Sequence, residues 1–144
     1  MSKRGQPRLY KRLTLTTLTT VIGLGGAAQA ETYGSGPVLA PAGTIQVSCR
    51  VFNFGTNPIT LPTLEIYNGA GTLLAQNFNN CPAPPGTLAL GATCAFAGTA
   101  TANQAYSCRV IVVGVSADQV SGDVEIAGAG PAILNVLPLR NSHE

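Results

Sequence analysis

Hydrophobic and polar residues alternate with a period of two in several stretches after residue 43. In residues 44–51, the odd-numbered positions are apolar or cysteine and the even-numbered positions are polar. The same alternation returns in residues 106–112 and 120–126. Because successive side chains of a strand point to opposite faces, this period predicts β-strands with one buried face.

Turn residues divide the remaining apolar runs into short pieces. Residues 61–67 alternate like a strand, Asn-Gly follows at 68–69, and residues 72–78 resume the apolar pattern. Asn-Gly tolerates the positive φ angles of tight hairpin turns, so the sequence predicts a hairpin here. Pro62 cannot donate to a β-ladder, and we expect it at a strand start or an edge.

These patterns together predict an all-β fold. The predicted strands cover residues 44–51, 61–67, 72–78, 87–90, 93–98, 106–115, 120–126 and 133–137. The strand at 106–115 is apolar on both faces, which is typical of the middle of a sheet. No segment after residue 30 shows a helical period. Seven to eight short strands indicate an antiparallel, immunoglobulin-like β-sandwich, with a closed barrel as the alternative.

The tetrapeptide Ser-Cys-Arg-Val occurs twice, around Cys49 and Cys108, each time in an apolar run. We interpret the two copies as core strands that face each other across the sandwich, where an immunoglobulin-like fold carries a bridge. Cys81 and Cys94 flank the proline-rich loop. The sequence therefore predicts the disulfides Cys49–Cys108 and Cys81–Cys94. A zinc site is the alternative, although no Cys-x-x-Cys pair is present.

The first 30 residues have the pattern of a secretory signal peptide. A basic start precedes an apolar stretch at 13–24, and Ala28-Gln29-Ala30 is a small-x-small cleavage pattern. We predict cleavage between Ala30 and Glu31, with an uncleaved anchor as the alternative. The predicted domains are the signal peptide at 1–30, a flexible lead-in or edge strand at 31–43, a β-domain at 44–138 and a loose tail at 139–144.

Removal of the signal peptide reverses the net charge. The full chain carries +2, whereas residues 31–144 have three arginines and six acidic residues, which gives −3. An acidic domain is a poor partner for phosphate backbones, so nucleic-acid binding is not expected. Both lysines leave with the signal peptide, which excludes Schiff-base chemistry in the mature domain.

Few residues offer catalytic chemistry, and we predict no enzyme, cofactor or metal. His143, the single histidine, lies two residues from the end. Asp123 and Glu125 are two positions apart and could form half of a calcium site, but a solvated strand face explains them as well. Arg50 and Arg109 are expected to point outward and to pair with Glu65 or Glu125. Arg50, Arg109 and Tyr67 are the residues that could contact a partner.

The predicted function is an exported, non-enzymatic structural or interaction module. Edge strands such as 133–137, or the lead-in at 37–39, could add to the sheet of a neighbour or of a second copy. Tyr33, Tyr67 and Tyr106 suggest a carbohydrate- or ligand-binding module as an alternative, although Tyr106 shares the phase of the core. An inhibitor-type binder of an exported protein is a further alternative.

Three segments carry a resemblance to a known group of proteins. They are Cys49-Arg50-Val51-Phe52-Asn53, Cys81 followed by Leu88-Ala89-Leu90-Gly91-Ala92-Thr93-Cys94, and Tyr106-Ser107-Cys108-Arg109-Val110. The chain resembles small secreted bacterial proteins of uncharacterised function over most of residues 45–137. The resemblance implies a disulfide-bonded, immunoglobulin-like sandwich exported by a Gram-negative bacterium, in the periplasm or outside the cell. It implies no activity.

Overall fold

The computed structural model describes residues 29–114, 119–129 and 132–141, and these residues form an all-β fold. The strands in chain order are β1 (Ala30–Gly34), β2 (Val38–Leu39), β3 (Thr44–Asn53), β4 (Ile59–Asn68), β5 (Gln76–Asn79), β6 (Gly86–Leu88), β7 (Thr93–Thr99), β8 (Ala105–Val113), β9 (Val120–Gly128), β10 (Ile133–Pro138) and β11 (Arg140–Asn141). Apart from residues 29 and 30, the predicted signal peptide lies outside the described residues, as do residues 115–118 and His143.

The strands form two antiparallel sheets. The first sheet has the order β11-β1-β8-β4-β6, and β2 also pairs with β8. The second has the order β10-β9-β3-β7-β5. As predicted, β8 lies in the middle of its sheet. Its high content of β-branched residues fits a strand that is flanked on both sides and covered on one face.

The core lies between the sheets and is centred on a disulfide. Cys49 of β3 and Cys108 of β8 are bonded across the two layers with their Cα atoms 6.0 Å apart, and both are buried. Phe96 is fully buried on β7, directly opposite Cys49 in the ladder. The second bond joins Cys81 to Cys94. Both disulfides are those that the sequence predicts.

The predicted hairpin at 61–78 is wrong in its second half. The turn at 68–71 forms, but β4 keeps only a single bridge with the returning chain, between Tyr67 and Leu73. The chain then crosses to the other sheet, where β5 pairs with β7. The side chain of Gln76 allows the returning chain to leave β4. Its amide donates to the Leu64 carbonyl at 2.7 Å and so replaces the backbone N–H of a paired strand.

The two ends of the described chain meet in the first sheet. Residues 31–43 include β1 and β2, which both pair with β8. Residues 139–141 were expected in a loose tail, but Leu139 is buried and β11 pairs with β1. Buried Asn141 donates its side-chain amide to Glu31 at 2.9 Å. These short strands raise the number of strands to eleven in the described residues.

A buried asparagine fastens one end of the sandwich. Asn53 is fully buried at the end of β3, and its side-chain amide donates to the carbonyls of Asn57 and Leu88 at 2.9 and 3.2 Å. Its Oδ1 accepts from the Gly55 N–H at 3.0 Å. One side chain thus connects the second sheet, the turn that follows β3 and strand β6 of the first sheet.

Replacing Asn53 by alanine should lower the free energy of unfolding by about 2–3 kcal/mol, because three backbone groups lose their side-chain partner and the bond to the Leu88 carbonyl is buried. Chemical denaturation of residues 31–144 measures this loss. The control is Asn57→Ala, since the Asn57 side chain is exposed and its one hydrogen bond, to Thr56, is 3.4 Å long. Equal stability losses in both variants would contradict the role of Asn53.

Candidate interaction surfaces

The two arginines next to the bridged cysteines form cross-strand ion pairs. Arg50 contacts Glu125 at 2.6 Å and Arg109 contacts Glu65 at 3.3 Å. The hydroxyl of Tyr67 donates to the same oxygen of Glu65 at 2.9 Å. The predicted pairing is therefore confirmed. Both arginine side chains remain about half exposed, so part of each guanidinium is open to solvent.

The prediction that Asp123 and Glu125 lie on a solvated face is wrong. Glu125 is buried, and Asp123 is partly buried with an Oδ1 atom that is inaccessible and has no hydrogen-bond partner. Burial raises the pKa of both carboxyl groups, while the charge of Arg50 acts in the opposite direction. Asp123 further raises the pKa of Glu125. Strand β9 lies between β10 and β3, and the period of two cannot show such an arrangement.

The remaining candidate groups do not converge on one site. In the described residues, no group of three or more histidine, cysteine, aspartate or glutamate side chains could hold a metal ion. Tyr33 and Tyr106 are buried, so a stacking face made of Tyr33, Tyr67 and Tyr106 does not exist. The core position expected for Tyr106 is confirmed. His143 lies outside the described residues.

Strand β10 is an edge of its sheet and exposes an aliphatic surface. Ile133, Leu134 and Val136 are 54%, 41% and 46% exposed. Strand β10 carries no charged residue, although charges are the usual protection of an edge. Leu39 of β2 is also exposed, and β2 lies against β10. We call Ile133–Pro138 the β10 edge.

The backbone of the β10 edge is protected against pairing. The Leu139 N–H donates to the Gly122 carbonyl at 2.8 Å. Backbone N–H groups along an antiparallel strand point alternately toward its neighbour and away from it. Because the N–H of Leu139 points toward β9, the N–H of Val136 points to the open side of the sheet. That N–H is occupied, because Asn135 Oδ1 accepts it at 3.0 Å. Pro138 has no N–H to offer, and the register shifts between residues 133 and 135.

Strand β5, the opposite edge of the same sheet, is short and polar. All four of its residues are exposed, and three of them are amides. Asn77 donates to the Thr99 hydroxyl at 3.0 Å, and Asn79 Oδ1 accepts from the Cys81 N–H at 2.8 Å. Both side chains are therefore hydrogen-bonded to nearby residues of the same chain. The β10 edge is therefore the longer and more apolar of the two.

Comparison with known proteins identifies no relative. No family model, curated protein or solved structure matches the chain. Within the described part of the chain, no helix is long and apolar enough to cross a membrane. Function must therefore be inferred from the surfaces described above.

Asp123→Asn should raise the melting temperature at pH 7 and leave it unchanged at pH 3. The raised pKa means that the folded state holds this proton more tightly than the unfolded state. The stabilisation that this proton gives the folded state is complete below the ordinary pKa of 3.8. It is lost as the pH rises through the pKa of the folded state. Asparagine avoids the cost of burying the charge. Thermal unfolding between pH 3 and 8 measures the effect.

The comparison variant is Glu65→Gln on the other sheet, which removes an acceptor from Arg109 and Tyr67 and should give no gain at pH 7. A lower melting temperature of Asp123→Asn at neutral pH would show that attraction to Arg50 outweighs burial.

Asn135→Val should increase self-association, because it frees the Val136 N–H and adds a β-branched residue to the edge. Sedimentation velocity over a concentration series measures the change. Asn77→Val on β5 is the matched control, since it makes the same substitution on the opposite edge. If Asn135→Val is no more associated than Asn77→Val, the protective role of Asn135 is refuted.

Proposed function

We propose that the protein is an exported, non-enzymatic interaction module that binds a protein chain along the β10 edge. The observation that carries the proposal is the exposure of Ile133, Leu134 and Val136 on an uncharged edge strand. Exposed aliphatic strands of this kind are rare without a use, because they favour association.

We propose that the β10 edge binds a second copy of the chain. The mature chain carries a net charge of −3, so two copies repel each other over most of their surface. The β10 edge is neutral and therefore allows close approach without like charges in contact. The occupied Val136 N–H and the missing N–H of Pro138 keep this association weak and limited.

Export is supported by the two disulfides, which persist in the periplasm or outside the cell and are rare in the cytosol. A kinship with immunoglobulin-like sandwiches is supported by the bridge between an early and a late central strand. The outer strands depart from that order, because β9 follows β8 but pairs with β3 in the opposite sheet.

Sedimentation equilibrium of residues 31–144 tests the proposal. We expect a reversible dimer at concentrations of the order of 100 μM. Val136→Arg should make the protein monomeric because it places a charge on the edge, whereas Leu90→Arg, at an exposed loop residue, should leave association unchanged.

A wild-type protein that stays monomeric at millimolar concentration would refute self-association. Equal effects of the two arginine variants would refute the β10 edge as the surface. Capture of a different exported protein that Val136→Arg abolishes would keep the edge as the site and replace the second copy as its occupant.

A further inference from the structure

A shallow cavity of about 280 Å³ lies at one end of the sandwich, between two turns. One wall is the turn after β4, at residues 68–70, and the other is the end of the loop between β7 and β8, at residues 103–105. These turns are adjacent because Asn68 pairs with Tyr106 in the ladder between β4 and β8. The strands that carry its walls, β4 and β8, belong to the first sheet, whereas β10 belongs to the second.

Hydrogen bonds hold the first wall in place. Asn68 Oδ1 accepts the N–H groups of Ala70 and Thr72 at 3.0 and 2.9 Å. The backbone of Asn68 also bonds to Thr72 and Gly71. Because its Oδ1 is committed to the turn, Asn68 has its side-chain NH₂ left for a ligand, and this group has no partner in the described chain.

The second wall is equally well fixed. Asn103 has a left-handed backbone with φ of 61°, and its N–H donates to the Ala40 carbonyl at 2.6 Å. The Ala40 N–H returns a bond to the Gln104 carbonyl at 2.8 Å. The Tyr106 hydroxyl accepts the Thr101 N–H at 2.6 Å. Both walls are therefore formed before any ligand arrives, which lowers the entropic cost of binding.

The lining determines the class of ligand. It consists of three amide residues, glycine and two alanines, with no charged side chain. The side-chain amide of Asn103 has no hydrogen-bond partner among the described residues. Amide groups both donate and accept, so they suit hydroxyl groups. A cavity without a cation offers nothing specific to an anion, and alanine offers little area to an apolar ligand.

We propose that this cavity binds a neutral polyhydroxylated ligand with the size of one sugar ring. Pockets for drug-sized ligands measure roughly 300–1,000 Å³, so about 280 Å³ suits a smaller molecule. No aromatic ring lines the cavity to stack on a sugar face, and we therefore expect dissociation constants in the millimolar range, near 4 kcal/mol of binding free energy. The proposal is independent of association through the β10 edge.

The test is an NMR titration of ¹⁵N-labelled residues 31–144 with glucose, galactose, mannose and N-acetylglucosamine, each to 50 mM. At least one sugar should shift the amide signals of residues 68–70 and 103–105 in a saturable manner. Sodium sulfate and isopropanol are the anionic and apolar probes, and they should leave these signals unmoved. No saturable shift with any of the four sugars would overturn the proposal, as would equal shifts with sulfate.

Asn103→Gly is the decisive variant. Glycine keeps the left-handed backbone without strain and removes only the side-chain amide, so the fold should persist. We expect it to weaken sugar binding at least threefold, whereas Asn57→Ala in a distant turn should bind like the wild type. Undiminished binding by Asn103→Gly, with a spectrum that shows the native fold, would refute the assignment of the cavity.

Discussion

The covalent bond between Cys49 and Cys108 connects the centres of both sheets, and the rest of the structure depends on it. It joins β3 to β8, and each of these strands has neighbours on both sides. Chain-entropy arguments assign about 4 kcal/mol to a loop of this length and about 3 kcal/mol to the loop closed by Cys81–Cys94. Such values are large compared with a net stability of roughly 5–15 kcal/mol. The bridge therefore accounts for much of the stability of a core built mainly from valine, leucine and isoleucine.

The position of the bridge also determines where polar chemistry can occur. Cys49 and Cys108 point inward, so Arg50 and Arg109, which follow them, point outward and reach a glutamate on the next strand. Both arginines are thus engaged in ion pairs with glutamates of the described chain. The described residues also present an aliphatic edge strand and an uncharged cavity lined by amides.

Much of this fold can be predicted from the alternation of apolar and polar residues along the chain. It places Cys49, Cys108 and Tyr106 inside, the arginines outside and β8 at the centre. The sequence did not predict that the chain leaves β4 after Leu74, because that exit depends on a hydrogen bond from the Gln76 side chain to a distant carbonyl. The turn at 68–71 alone indicates a hairpin. Local patterns cannot show such a long-range contact.

Burial of polar residues was equally hidden from the sequence. Glu125 alternates like an exposed residue, yet it is buried and contacts Arg50. Tyr33 lies in a segment rich in glycine and proline, and it becomes a core residue because β1 lies between β8 and β11. The protection of the β10 edge by Asn135 is likewise a matter of one side-chain hydrogen bond. The sequence shows only an uncharged apolar strand.

The most direct measurement is the free energy of unfolding of two double variants, Cys49→Ala with Cys108→Ala and Cys81→Ala with Cys94→Ala. Loss of the bridge between the sheets should cost about 4 kcal/mol or more, because a long loop is released and two buried sulfur atoms are removed from the core. The other pair should cost about 3 kcal/mol or less. If the Cys49/Cys108 variant is as stable as the wild type, or more stable than the Cys81/Cys94 variant, the bridge is not what holds the two sheets together.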